Sequence, residues 1–160
     1  MHPTRIDLPE ATRGRVVDLL NARLAEAIDL RLQAKQAHWN VKGPNFIALH
    51  ELFDELADAL DGHVDDLAER ATALGGVAQG TVQSVVERSR LEAYPLALHE
   101  GRGHLDALAS ALARVGKAVR EAIDEAAKAG DADTSDLFTG VSRDLDKRLW
   151  LLEAHLQAER

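Results

Sequence analysis

The chain has 160 residues, a formal charge of −8, 46% apolar and 29% charged residues, and no cysteine. That length holds one domain with a real core. Disulfides, thiolate metal sites and cysteine nucleophiles are excluded, and the acidic balance opposes a nucleic-acid backbone unless a basic patch is segregated.

Residues 1–9 read as a short tail with no apolar signal-peptide core. Pro9 suits a helix start and Glu10 its first turn. The first helix runs to about residue 40, with Val17, Leu20, Leu24, Ile28, Leu32 and Trp39 as its buried stripe. Gly43 and Pro44 end it. Asn45 is the expected N-cap of a second helix over residues 45–74, closed by Gly75 and Gly76. A long connection follows, from residue 77 to about 94. Within it, Thr81 caps a short helix over 81–87.

Pro95 is expected to open the third long helix, which continues to about residue 129 and stops at Gly130. Its stripe is Leu98, Leu105, Leu108, Leu112, Val115, Val119 and Ile123. Gly101, Gly103 and Gly116 lie inside it at about 1 kcal/mol each against Ala, so close packing is expected there. The fourth helix starts near Asp133 or Thr134 and ends near residue 156, with Leu137, Val141, Leu145, Leu149 and Leu152 in register.

The fold expected is all-α. Four long helices joined short–long–short form a four-helix bundle with one long crossover, the connectivity of ferritin-like folds. The tail covers residues 1–9, the bundle 10–157 and a C-terminal end 158–160. No apolar run is long enough to span a membrane. The absence of cysteine is compatible with a reducing cytoplasm, and the expected location is cytoplasmic.

The second helix carries the chemistry. With His38 just upstream, it holds His-x11-His-x3-Asp-x10-Asp-x3-Glu, comprising His38, His50, Asp54, Asp65 and Glu69. Residues four apart share a helix face. His50, Asp54, Asp65 and Glu69 fall in one stripe about 100° wide, and the apolar stripe through Leu49, Phe53, Leu56, Leu60, Val64, Leu67, Ala71 and Leu74 is centred roughly 135° away. The polar stripe therefore points away from the chain's own core.

Asp54 and Asp65 are about 16 Å apart along the axis, while metal–ligand bonds are only about 2 Å long. Either the two pairs are unrelated, or another copy of the chain supplies the missing half. Two antiparallel copies crossing near Ala59 and Gly62 would set Asp54 of one opposite Asp65 of the other about a two-fold axis. A single His-x3-Asp pair is more often a surface pair than a metal site. Two pairs on one outward stripe shift that balance. Imidazoles with carboxylates and no thiolate suit Fe(II), Mn(II) or Zn(II). His38 alone reads as a dipole-favouring histidine, Trp39 as core packing and His63 as structural. No Glu or Asp is followed three residues later by His, which disfavours a di-iron centre inside one bundle.

These stretches resemble the Dps family, the DNA-binding proteins from starved cells or mini-ferritins. The resemblance rests on KQAHWNVKGPNFIALHELFDEL, DDLAERATALGG, YPL at 94–96 and TSDLFTGVSRDLDKRLWLLEAHL, and covers about residues 16–156. It implies a hollow dodecamer with ferroxidase centres at its two-fold interfaces. His38, His50 and Asp54 would come from one subunit, and Asp65 and Glu69 from its mate. It implies oxidation of Fe(II) to Fe(III), preferably with hydrogen peroxide, and storage of ferric mineral that protects DNA from oxidative damage. Trp39 matches a tryptophan beside the centre. Glu51 and Glu55 match cavity-facing positions for mineral nucleation. Asp133 and Asp136 match a three-fold pore for iron, although acidic residues also stabilise a helix's first turn on their own.

The chain departs from the family's DNA binders, which tend to carry a lysine-rich tail. Here MHPTRIDLPEATRGR has no lysine, and Arg13 and Arg15 are expected within the first helix. Twelve copies at −8 each would carry roughly −96. Weak or absent DNA binding is therefore expected. The alternative reading is a nucleoid-associated, DNA-compacting protein with a secondary metal site.

Overall fold

The computed structural model describes residues 1–157; the expected C-terminal end, 158–160, lies outside them. Five helices occur in the order α1 (Glu10–Asn40), α2 (Phe46–Ala73), α3 (Val82–Arg88), α4 (Gly101–Ala129) and α5 (Ala132–Gln157). Among the described residues there is no strand, only an isolated bridge between Lys42 and Glu100. The all-α bundle with a short helix in its crossover is thus the fold observed.

Side-chain pairings set the helix directions. Lys35 meets Asp54 and Arg31 meets Asp61, so α1 and α2 run antiparallel. His63 meets Asp144 and Arg70 meets Asp131, so α5 runs antiparallel to α2. Arg23 of α1 donates to the Ala118 carbonyl of α4, while Lys42, just past α1, donates to the His99 carbonyl just before α4. Helices α2 and α4 therefore point the same way, as a crossover along the bundle requires.

The core runs along the whole bundle. Leu20, Leu24 and Leu30 from α1 pack with Phe53, Leu56, Leu60 and Leu67 from α2, Leu108 and Leu112 from α4, and Phe138 and Leu145 from α5; all are fully buried. Each contributes about 1.5–3 kcal/mol by leaving water. Polar residues of α1 fasten the crossover to this core. The Asn21 side chain donates to the Val77 carbonyl and accepts from Gln79 N–H. Asp29 accepts from Ser89 and Gln33, and Gln33 also donates to the Glu92 carbonyl.

The helix ends follow backbone chemistry. Thr81 caps α3 by accepting from Ser84 N–H. At the end of α2, Gly75 takes a positive φ of 86°, and N–H groups of Gly75 and Gly76 satisfy the Thr72 and Ala71 carbonyls. Gly130 ends α4 in the same manner, its own N–H bonding Ala127 O and that of Asp131 bonding Ala126 O. Asn45 holds the N-cap position of α2 but makes no side-chain cap hydrogen bond.

Three expectations are corrected. Pro95 does not open the third long helix; α4 begins six residues later at Gly101. Pro95 instead starts a turn closed by Leu98 N–H, and the next residues run beside Lys42. Gly101 then admits Leu49, whose Cδ1 lies 2.3 Å from where a Cβ would sit, whereas Gly116 has ordinary space around it. The expected close packing therefore holds at the start of α4 and fails at Gly116.

Leu32 and Trp39 are not in the core: they are 47% and 65% exposed. They lie seven residues apart on one face of α1, which the described residues leave largely uncovered. Finally, residues 1–9 are mostly exposed and are tied to the bundle at His2 and Leu8. His2 N–H donates to the Gly75 carbonyl at 2.7 Å, and the buried Arg13 guanidinium binds the carbonyls of Leu74 at 2.7 Å and Leu8 at 3.2 Å.

Candidate metal centre

Two histidines organise the site. His38 lies in the last turn of α1, where carbonyls have no partner within the helix. His50 lies one turn into α2. The short α1–α2 connection folds the two turns together, and each imidazole Nδ1 bonds the other residue's carbonyl, at 2.7 Å for His38 and 2.8 Å for His50. The rings stack with centroids 3.7 Å apart at 22°. A carbonyl only accepts, so each Nδ1 carries the proton. In the neutral ring the lone pair then sits on Nε2, at the opposite edge, where no hydrogen bond occupies it among the described residues. The pair is held in the tautomer that a metal requires, with the other ring nitrogen fixed by a backbone oxygen.

Asp54 stands one turn beyond His50 on the same face, and His38 Nδ1 is 3.8 Å from its carboxylate. Lys35 of α1 donates directly to that carboxylate. The hydrogen bond from Lys35 is the chief cause holding the Asp54 carboxyl below its usual range, opposed by partial desolvation and aided by His38 and His50. Asp54 is therefore anionic and ready to bind a cation, with Lys35 as its present counter-charge. Sequence reasoning missed Lys35: nothing in KQAH marks it, because only the antiparallel packing of α1 on α2 brings it to Asp54. Trp39 exposes its ring beside this group, with Lys35 Nζ 6.0 Å from the ring centroid, and Phe46 packs 5.0 Å from His50.

Asp65 and Glu69 lie on the same uninterrupted helix but farther along it. Both are exposed, and neither carboxylate takes a hydrogen bond or ion pair among the described residues. The helical rise keeps Asp65 about 16 Å and Glu69 about 22 Å from Asp54 along the axis. One chain thus brings His38, His50 and Asp54 together and leaves Asp65 and Glu69 apart. Among the described residues of a single chain, no group of three or more His, Asp or Glu side chains is close enough to hold a metal. Glu51 and Glu55 are exposed on α2, Asp133 is exposed in the first turn of α5, and Asp136 is exposed just beyond it. His63 is a structural residue, bonding Asp144 of α5 at 3.0 Å.

A ferritin-like domain model matches residues 17–160. Over 156 residues the chain is 50% identical to the DNA protection during starvation protein of Agrobacterium fabrum, covering 98% of this chain and 96% of that one. The fold superposes on DpsA14 from Streptomyces coelicolor with a TM-score of 0.91 and 40% identity, covering 96% and 90% of the two chains. It superposes equally well, TM-score 0.91 and 25% identity over 98% of each chain, on a Dps protein from Vibrio cholerae O1 described as a member of a broad superfamily of ferritin-like diiron-carboxylate proteins. No described helix is long and apolar enough to cross a membrane. With a ferritin-like domain model over most of its length, half of its aligned residues identical to a starvation-protection protein and a fold that superposes on Dps structures, this chain belongs to the Dps family of ferritin-like proteins.

Proposed function

We propose that this protein oxidises Fe(II) with hydrogen peroxide at centres shared between two copies of the chain, and stores the Fe(III) product inside a dodecameric shell. The reading rests on one observation above all: His38 and His50 fix each other's Nδ1, which leaves both Nε2 atoms without a hydrogen bond among the described residues, while Asp54 stands one turn beyond His50 on the same face. Asp65 and Glu69, exposed and unpaired on the same outward face, are the complement that a two-fold mate would supply. Mixed imidazole and carboxylate donors suit iron in both oxidation states.

The chemistry balances simply. Two Fe(II) ions lose one electron each, the O–O bond of one peroxide breaks, and two protons complete two waters. The residues' part is to bind and orient. The histidines supply neutral donors, and Asp54, Asp65 and Glu69 supply the negative charge that favours the Fe(III) product. On this reading Lys35 is displaced from Asp54 as iron binds. Glu51 and Glu55 would nucleate mineral, and Asp133 and Asp136 would line the opening through which iron enters. Consuming iron and peroxide together removes the reagents of hydroxyl-radical formation, and that protects DNA without touching it.

The double variant Asp65→Ala/Glu69→Ala tests this. Peroxide-driven Fe(II) oxidation should fall by on the order of 100-fold, since loss even of residues supporting a metal ligand costs 10- to 100-fold. Rates equal to wild type would sink the ferroxidase reading.

The alternative, DNA compaction, is disfavoured by charge: residues 1–9 contain no lysine. Arg13 is buried, bonded to the Leu74 and Leu8 carbonyls and unavailable to phosphate, and the net charge is −8 per chain. A gel shift across a salt series should show no retardation of linear DNA near physiological salt, where phosphate-driven binding is already weakened. Retention that weakens steeply with added salt would favour the alternative.

A further inference from the structure

Arg70 directly follows Glu69, yet its side chain joins a different part of the molecule. Its Nε donates to Thr134 Oγ1 at 2.9 Å and its Nη2 to Asp131 Oδ1 at 2.8 Å. The same Asp131 carboxylate caps α5 by accepting from Thr134 N–H at 3.0 Å and from the Thr134 hydroxyl at 2.6 Å. Arg70, Asp131 and Thr134 thus form a closed ring of hydrogen bonds. Asp131 and Thr134 are 2% and 0% exposed, so water does not compete for these groups. Asp131 also carries the N–H that ends α4 through the Ala126 carbonyl. One guanidinium therefore ties together the last turns of α2, the α4–α5 corner and the first turn of α5.

Two carboxylate pairs hang on the elements so joined. Asp65 and Glu69 stand on the outward face of α2, and Asp133 and Asp136 near the start of α5. Neither Asp65 nor Glu69 has a side-chain partner among the described residues, so only the α2 backbone places them. That backbone is held on one side by Leu67, Ala71 and Leu74 in the core, and on another by the Arg70 ring. The fork geometry matters. Two donors of one rigid plane reach a carboxylate and a hydroxyl at once, which a lysine's single ammonium cannot reproduce.

We propose that Arg70 is a positioning residue. It holds the turn bearing Glu69 in the register that completes the partner chain's His38, His50 and Asp54, and fixes that turn relative to the acidic start of α5. The inference rests on the shared-centre reading above and adds to it a residue that contacts no iron.

The test uses assembled Arg70→Gln, Arg70→Lys and Thr134→Val proteins, checked for assembly by light scattering. At 25 °C, kcat and KM for Fe(II) oxidation by peroxide are read beside the melting temperature. Zn(II), a redox-inert probe, is titrated by calorimetry. Arg70→Gln should lower kcat by on the order of tenfold and weaken Zn(II) binding to a similar extent, as displaced support of a ligand does. Arg70→Lys should recover only part of either, and Thr134→Val should fall in the same direction by less. A residue that merely braces the fold would lower the melting temperature and leave kcat, KM and Zn(II) affinity unchanged; that result overturns the proposal, as does failure of both Arg70 variants to assemble. If wild type itself fails to oxidise iron, the functional reading falls. The Zn(II) arm then decides alone: tenfold weaker binding in Arg70→Gln supports positioning, and equal affinity overturns it.

Discussion

Mixing His50→Ala subunits with Glu69→Ala subunits should restore iron oxidation that neither parent shows. The reason is the division of the site along α2. His38, His50 and Asp54 lie within one cluster at the start of the helix, and Glu69 lies more than 20 Å farther along by helical rise, about 1.5 Å per residue. On the proposed reading, each interface about a two-fold axis would have two centres, each built from the histidine cluster of one chain and the carboxylates of the other. In a hybrid interface one centre receives both defects and the other receives neither. Random mixing at equal amounts makes about half the interfaces hybrid, and half the centres in those are intact. Activity should therefore return to about a quarter of wild type. Peroxide-driven oxidation measured after dissociation and reassembly, on hybrids verified by mass, reads this directly. Activity that stays at parental levels would show that the ligands do not cross an interface.

Replacing Phe53 by alanine should give the largest loss of stability among single substitutions of α2. The ring is fully buried, and it packs 6.2 Å from the buried His104 ring of α4. His104 in turn is fastened to Tyr94 in the crossover at 2.7 Å. Phe→Ala in a close-packed core costs about 3–5 kcal/mol, and a domain of this size loses roughly 2–4 °C in Tm per kcal/mol. A fall of about 6–20 °C is expected in thermal melts followed by circular dichroism. A shift of less than about 2 °C would mean that the site collapses onto the cavity at little cost. Since Asp54 is the next residue, the same substitution should also loosen the Lys35–Asp54 contact and slow iron oxidation well below the melting range.

The expected helix ends proved right where backbone chemistry forces them. Gly75 and Gly130 adopt the left-handed conformation that other residues resist, and Thr81 supplies a hydroxyl where α3 has an orphan N–H. Pro95 misled because a proline also starts a turn, and the local sequence does not record that residues beyond it run beside Lys42. Trp39 and Leu32 misled for a different reason. Their apolar character marks them for burial, but the face they share is left bare within one chain. That exposure sits beside the histidine cluster, where the proposed mate would cover it.

The candidate site was legible in proportion to its helical spacing. His50, Asp54, Asp65 and Glu69 are four-residue pairs on one helix, so periodicity alone placed them on one face and away from the core. The 16 Å between the pairs follows from the rise per residue, and so does the choice between two unrelated pairs and a site shared with a second chain. Tertiary packing alone decided three further things. It turned His38 and His50 so that each fixes the other's tautomer, because a helix-end carbonyl of α1 meets an imidazole of α2. It brought Lys35 to Asp54 across the antiparallel α1–α2 contact. And it joined Arg70 to the cap of α5, 61 residues away in sequence to Asp131. Periodicity is a property of a single helix and can be read from the chain. Contacts between helices depend on how far each is turned and slid against its neighbour, and only the packed core settles that.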